Sequence, residues 1–136
     1  MLRSLIAAVA LLGMLAGSAQ AAPDITSSLA LNEMDPHLGG TVTFTATYPQ
    51  HYEHLDPRVA IRCYQNGVMV YAEAGPWEQA FVLGGASSGW LRAGGPASCT
   101  AELFAITWPG HPCKNMPKLQ VVETLAWTEF EADGSG

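Results

Sequence analysis

Apolar and polar residues alternate strictly over residues 41–48, which read TVTFTATY. The four even-numbered residues, Val42, Phe44, Ala46 and Tyr48, point one way, and the four threonines point the other. A period of two with β-branched residues on the polar side is typical of a half-buried antiparallel strand. The pattern therefore predicts one strand over residues 41–48, with its even-numbered side chains facing the core.

A second signal is Asn66-Gly67, which lies between two apolar runs in RVAIRCYQNGVMVYAEAGP. Asn-Gly supplies the two positive φ angles of a type I′ hairpin turn. A two-residue turn places Gln65 opposite Val68, and the pairing continues along the strands to Arg62 opposite Tyr71. This register predicts a core face of Val59, Ile61, Cys63, Val70 and Ala72. The outward face then carries Arg62, Tyr64, Met69, Tyr71 and Glu73.

Four more strands are predicted over residues 25–31, 80–83, 97–106 and 125–131, with glycine- or proline-containing turns between them. Parity along ASCTAELFAITW points Ala97, Cys99, Ala101, Leu103 and Ala105 inward, and Ser98, Thr100, Glu102, Phe104, Ile106 and Trp108 outward. No amphipathic helix pattern is present after the N-terminal 21 residues. Several short strands at this spacing predict an all-β sandwich or barrel.

The first 21 residues have the pattern of a secretory signal peptide. Arg3 precedes an apolar run over residues 5–15, and Ala19 and Ala21 form an A-x-A cleavage site. The run is shorter than the about 20 residues that a spanning helix needs. We expect export, a mature domain over residues 22–132 without a membrane span, and a flexible tail over residues 133–136. An uncleaved N-terminal anchor is the alternative.

The charge balance limits the class of partner. The whole chain carries six basic and twelve acidic residues, and removal of the leader with Arg3 leaves a net charge of −7. A phosphate backbone or an anionic lipid surface attracts clustered cations, which this chain lacks. We therefore expect neither nucleic acid nor an anionic membrane as a partner.

Three cysteines leave one without an intramolecular partner. Cys63 and Cys99 both fall on predicted core faces, so their pairing is the favoured bridge if their strands are neighbours. A bridge from Cys113 to either of them stays open. Cys113 lies in WPGHPCKN, where prolines and Lys114 favour exposure, and we expect a free thiol that can link a homodimer. A buried, reduced Cys113 is the alternative.

The strand motifs TVTFTATY, RVAIRCYQNGVMVYAEAGP and ASCTAELF resemble those of immunoglobulin-like β-sandwich domains. More narrowly, they are similar to single Ig-like domains of secreted proteins from actinobacteria and their phages, over residues 25–132. The resemblance implies an Ig-like antiparallel sandwich with Cys63 on the C strand and Cys99 on the F strand. These strands are neighbours, so the bridge would lie within one sheet. The first alternating strand lacks the cysteine of antibody domains.

The outward positions predict a band of apolar and aromatic side chains: Tyr64, Met69, Tyr71, Phe104, Ile106 and Trp108. A contiguous exposed patch of this kind usually marks a binding surface, and Tyr and Trp are common interface anchors. Flat rings also stack against sugars, so the ligand is a protein or a glycan. Two alternatives bury the band: a twist that turns Phe104 or Trp108 inward, or a cover formed by the loop over residues 109–123.

No catalytic or metal-binding motif stands out. His51 and His54 in HYEH lie between two prolines in a predicted loop, and neither an H-E-x-x-H nor a paired C-x-x-C is present. His111 near Cys113 is a weak thiol-activation signal. We therefore expect a non-catalytic extracellular binding module of a bacterial type, without cofactor or metal. The alternatives are a carbohydrate-binding module and a small cell-wall glycan hydrolase that acts through Glu102.

Overall fold

The computed structural model describes residues 26–85, 88–107 and 121–134. These residues form an all-β, sandwich-like fold of antiparallel strand pairs, which confirms the predicted class. The predicted leader, Trp108 and Cys113 lie outside the described residues. No helix in the described ranges is long and apolar enough to cross a membrane. The strands are β1 Ser28–Leu31, β2 Thr41–Val42, β3 Phe44–Thr47, β4 Arg58–Gln65, β5 Val68–Pro76, β6 Phe81–Val82, β7 Ala97–Thr107 and β8 Val121–Ala132.

The largest sheet has the order β5-β4-β7-β8, and the predicted hairpin joins its first two strands. Asn66 and Gly67 have φ angles of 51° and 78°, as a type I′ turn requires. The predicted register holds only for the two pairs next to the turn. A β-bulge then leaves Val70 without a partner, so that Cys63 pairs with Tyr71. Because β5 has this one extra residue, each side chain beyond it faces the opposite side of the sheet from the predicted one.

Tyr71 is therefore not an outward residue, and the prediction that placed it there is wrong. Its side chain turns toward the core and is only 8% exposed, whereas Ala72, predicted to face the core, is exposed. The Tyr71 hydroxyl donates a hydrogen bond to the carboxylate of Glu73. Burial is the main cause that raises the pKa of Tyr71 well above its usual value, and the hydrogen bond to the Glu73 carboxylate is the second.

This raised pKa predicts a loss of stability at high pH. An unfolded tyrosine loses its proton near pH 10, but folded Tyr71 keeps it, so the free energy of unfolding falls as pH rises above about 10. Below about pH 10, Tyr71 does not make the free energy of unfolding depend on pH. Urea denaturation between neutral and alkaline pH should show a shallower alkaline decline for Tyr71→Phe than for wild type. The exposed-residue control Tyr64→Phe should keep the wild-type slope, and equal slopes in all three proteins would contradict the assignment.

The predicted strand over residues 41–48 is divided in two because it changes partner. β2 pairs with β6, whereas β3 pairs with β1. At the break, the Thr43 N–H donates to the Glu33 carboxylate at 2.7 Å and the Thr43 carbonyl accepts from the Asn32 N–H at 3.1 Å. The predicted faces are nevertheless confirmed, since Val42 and Phe44 are buried.

The core lies on the inner side of the four-stranded sheet, against the two two-stranded sheets. Phe44 of β3 contacts Phe81 of β6 and Phe130 of β8, with ring centroids 6.1 and 6.4 Å apart. Buried Gln65 donates to the carbonyls of Leu91 and Gly95, so its amide is satisfied. The predicted inward residues of β4 and β7 are all buried: Val59, Ile61, Cys63, Ala97, Cys99, Ala101, Leu103 and Ala105.

A disulfide joins Cys63 of β4 to Cys99 of β7, two residues directly opposite each other in the same sheet. The favoured pairing, and its position within one sheet, are confirmed. Bridges from Cys113 to either cysteine are excluded while this one is present. The state of Cys113 itself lies outside the described residues and stays a prediction.

Three local expectations are wrong. β8 begins at Val121, so residues 121–123 are strand and do not belong to the loop over residues 109–123. Residues 50–55, expected as a loop, form the 3-10 helix Gln50–Leu55, and a second 3-10 helix spans Arg92–Gly94. Asp133 is not part of a frayed tail, because its N–H donates to the Pro36 carbonyl and its carbonyl accepts from the Leu38 N–H.

Candidate functional site

The candidate site is the side of the four-stranded sheet that points away from the core, which we call the outer face. Four predicted binding residues lie on it: Tyr64, Met69, Phe104 and Ile106. Tyr71 faces the core instead, and Trp108 lies outside the described residues. The register gives the face these members: Arg58, Ala60, Arg62, Tyr64, Met69, Ala72, Ala74, Pro76, Ser98, Thr100, Glu102, Phe104, Ile106, Val122, Thr124, Trp127, Glu129 and Glu131.

The most prominent residue of the outer face, Trp127, was missed by the sequence analysis. Its side chain is 62% exposed and it lies opposite Glu102 in the β7–β8 ladder. A second bulge at Leu125 also turns Val122 outward, because the extra residue reverses the alternation. The strand over residues 125–131 was predicted, but no faces were assigned to it. Alternation along that strand puts Trp127 on the same face as Glu129 and Glu131, so the sequence does contain a signal for it.

A charged network occupies the centre of the outer face. Arg62 Nη1 lies 3.5 Å from Glu102 Oε2, and Thr124 Oγ1 donates a hydrogen bond to Glu102 Oε1. The ion pair is partly exposed, so its contribution to stability is at most about 1 kcal/mol. It also orients the Glu102 carboxylate on the outer face, where Glu102 lies opposite Trp127 in the ladder.

Exposed apolar side chains of the face lie at both ends of the network and beside it. Tyr64 and Met69 lie opposite each other near the β4–β5 turn, and both are exposed. Trp127 lies level with Glu102, and Val122 lies beyond Thr124 toward the other end, near the half-buried Phe104. The outer face therefore presents exposed apolar side chains at both ends, and Trp127 beside the polar groups at its centre.

The 3-10 helix Gln50–Leu55 borders the end of this face. Its residues His54 and Leu55, with Asp56 and Arg58, form a shallow depression beside Ile106. The Tyr52 hydroxyl donates to Glu123 at 2.7 Å, and this bond raises the pKa of Tyr52. Within the described ranges, no three His, Cys, Asp or Glu residues are grouped so that they could hold a metal ion.

The arrangement is suited to contact over an area rather than to enclosure of a small molecule. Aromatic and Met side chains provide apolar contact, and the Arg62, Glu102 and Thr124 side chains provide donors and acceptors with defined positions. Interfaces commonly combine such aromatic anchors with a polar surround. No family model, no curated protein and no solved structure was found to match this chain.

Proposed function

We propose that this protein is a secreted, non-catalytic binding module that recognises an extracellular or cell-surface protein through its outer face. The observation that carries the proposal is Trp127, a large aromatic side chain exposed in the middle of a sheet strand. Single exposed apolar residues are common, but Trp127 shares its face with exposed Tyr64, Met69 and Val122. Several large apolar side chains on one face are typical of an interaction surface.

Export and the Ig-like relationship are parts of the same proposal. Export is supported by the signal-peptide pattern over residues 1–21 and by the Cys63–Cys99 disulfide, since such bonds persist mainly in oxidising compartments. The Ig-like relationship is supported by the antiparallel strands and by a bridge between neighbouring strands β4 and β7. A homodimer linked through Cys113 stays a proposal that non-reducing electrophoresis with Cys113→Ser can test.

Replacement of Trp127 by alanine is expected to weaken ligand binding by about 30-fold or more, as loss of an interface anchor commonly does. The tagged protein would first recover its partner from cell-envelope and secreted fractions, and biolayer interferometry would then measure affinity. Leu91→Ala is the matched control, because Leu91 is 65% exposed but lies outside the sheet. Loss of affinity in Leu91→Ala with none in Trp127→Ala would contradict the proposed surface.

A glycan ligand is the second candidate, and the network around Glu102 favours it specifically. A sugar offers an apolar face for a ring and hydroxyl groups for hydrogen bonds, and here Trp127 lies beside Arg62, Glu102 and Thr124. A glycan array tests this directly. Competition by free sugars should abolish glycan binding but leave a protein interface intact. If the protein is instead a hydrolase, Glu102→Gln should abolish product release while binding persists.

A further inference from the structure

The free edge of the four-stranded sheet is a second surface, separate from the outer face. β5 is the first strand of the order β5-β4-β7-β8, and β4 is its one strand neighbour within the described residues. An edge strand presents backbone N–H and C=O groups that a further strand can pair with. The inference about this edge does not rest on the proposed function.

The register identifies which backbone groups of β5 point away from the sheet. The Cα atoms of Cys63 and Cys99 are 4.0 Å apart, which marks a non-hydrogen-bonded pair between β4 and β7. The N–H and C=O of Cys63 therefore point to β5, as do those of Ile61 and Val59 by alternation. The β5 residues opposite them are Tyr71, Glu73 and Gly75. The backbone N–H and C=O groups of these three residues point back to β4. The backbone groups of Ala72 and Ala74 consequently point outward.

The edge is covered only as far as Val70. Its carbonyl accepts hydrogen bonds from the Gly89 N–H at 3.0 Å and from Ser88 Oγ at 2.6 Å. Beyond it, in the part of the chain that the structure describes, no hydrogen bond from outside the ladder reaches the backbone of Ala72 or Ala74. An open groove of about 500 Å³ follows this stretch, lined in part by Tyr71, Ala72 and Glu73.

Within the open stretch, only one feature that commonly prevents strand addition is present. Natural edges are protected by charged side chains, above all lysines, and by prolines or bulges. Residues 71–75 read YAEAG, with the bulge before them and Pro76 after them. Their one charged residue is Glu73, which is exposed. The open part of the edge is therefore negatively charged.

We propose that an extended segment of a partner protein adds to β5 as a fifth, antiparallel strand and places a Lys or Arg opposite Glu73. Ala72 and Ala74 would each exchange two backbone hydrogen bonds with the added strand. The residue between these pairs lies in a non-hydrogen-bonded position, where facing side chains are closest. A second copy of this chain fits poorly, because two-fold pairing over the same residues opposes Glu73 to its own copy.

Two synthetic heptapeptides test the proposal on the intact, oxidised protein: acetyl-Thr-Val-Thr-Lys-Thr-Val-Thr-amide and the same peptide with Glu at its centre. In the free protein, NMR hydrogen exchange should show faster exchange for the amides of Ala72 and Ala74 than for those of Tyr71 and Glu73. Saturation with the Lys peptide should protect the two alanine amides. The Lys peptide should bind about fivefold more tightly than the Glu peptide.

Three variants make the test specific. Glu73→Lys should reverse the preference between the two peptides; it also removes the acceptor of the Tyr71 hydroxyl, so the stability of the variant is measured beside its affinity. Ala74→Pro removes an outward N–H that makes no ladder bond with β4, so it should weaken binding of the Lys peptide while the fold persists. Trp127→Ala should leave peptide affinity unchanged, which separates this edge from the outer face.

Several results would overturn the proposal. Protection of the Ala72 and Ala74 amides in the free protein would mean that the chain itself covers the edge. Equal affinities for the two peptides, or an unchanged preference in Glu73→Lys, would remove the electrostatic argument. Peptide-induced protection confined to other residues would place binding elsewhere. Concentration-dependent dimerisation that the Lys peptide cannot compete with would assign the edge to a second copy.

Discussion

Phe81→Ala is expected to lower the free energy of unfolding by about 3–5 kcal/mol. Phe81 is fully buried and is the largest side chain buried to this degree among the described residues. Its ring packs in a T-shaped arrangement with the ring of Phe44, which in turn contacts Phe130. Since β6 has only two residues, Phe81–Val82, little backbone pairing can compensate for the lost ring. The truncation leaves a cavity where the small sheets meet the large one.

Val82→Ala is the matched control, because Val82 follows Phe81 in β6 but is 49% exposed. Its effect should stay within about 0.5 kcal/mol, as is usual for surface positions. Urea denaturation followed by tryptophan fluorescence and circular dichroism gives both values. Similar losses in the two variants would show that the strand itself, and not the buried ring, provides the stabilisation.

The sequence predicted those features that depend on local periodicity. Alternation along Ala97–Thr107 assigned every inward residue of β7 correctly, because the extra residue of the β7–β8 pair lies in β8 and β7 itself alternates without interruption. Asn66-Gly67 likewise determines a local turn geometry, so the hairpin and its first two pairs were predicted. The bridge between Cys63 and Cys99 followed from two such assignments made independently.

The two bulges were beyond this kind of reasoning. A bulge depends on how a strand packs against its neighbours, and one extra residue reverses all faces beyond it. Val70 in β5 moved Tyr71 from the outer face to the core, and Leu125 in β8 allowed Val122 to share a face with Trp127. The predicted band of apolar and aromatic side chains therefore lies on the predicted side of the sheet. Tyr71 does not belong to it, whereas Val122 and Trp127 do.

Long-range polar contacts explain the other differences. Residues 41–48 alternate without interruption, yet the Glu33 carboxylate binds the backbone of Thr43 and divides the strand between two sheets. Gln65 is a polar residue at a core position because Leu91 and Gly95 lie where its amide can donate to them. Neither pairing has a signal in the local pattern, since the partners are distant in sequence.

The two proposed surfaces follow from different parts of the same sheet. The outer face depends on side chains, and its exposed apolar residues lie on β4, β5 and β8. The β5 edge depends on backbone groups, and its specificity is assigned to Glu73 alone. Because the two surfaces use different atoms, a partner bound to one surface does not displace a partner bound to the other. Trp127→Ala and Glu73→Lys are therefore expected to impair different interactions.

Removal of the disulfide in the double variant Cys63→Ala/Cys99→Ala is expected to lower the free energy of unfolding by about 3–4 kcal/mol. The bridge joins residues 36 apart in sequence, and on the chain-entropy account its main effect is to restrict the unfolded chain. Both cysteines are buried on the two central strands of the four-stranded sheet, so the sheet that carries both proposed surfaces loses a cross-link. Small sandwiches have a total stability of only about 5–15 kcal/mol, so this loss is a large fraction of it.

Denaturation with and without reductant measures this effect, and reduced wild type should approach the double variant. Cys113→Ser is the control, since it leaves the Cys63–Cys99 bridge in place and should retain wild-type stability. The same variant should remove any dimer seen in non-reducing electrophoresis if Cys113 links two chains. If Cys113→Ser lost as much stability as the double variant, Cys113 would belong to the stabilising bridge, and the pairing within the sheet would be wrong. If reductant left wild type unchanged, the stability of the sheet would come from packing and hydrogen bonding alone.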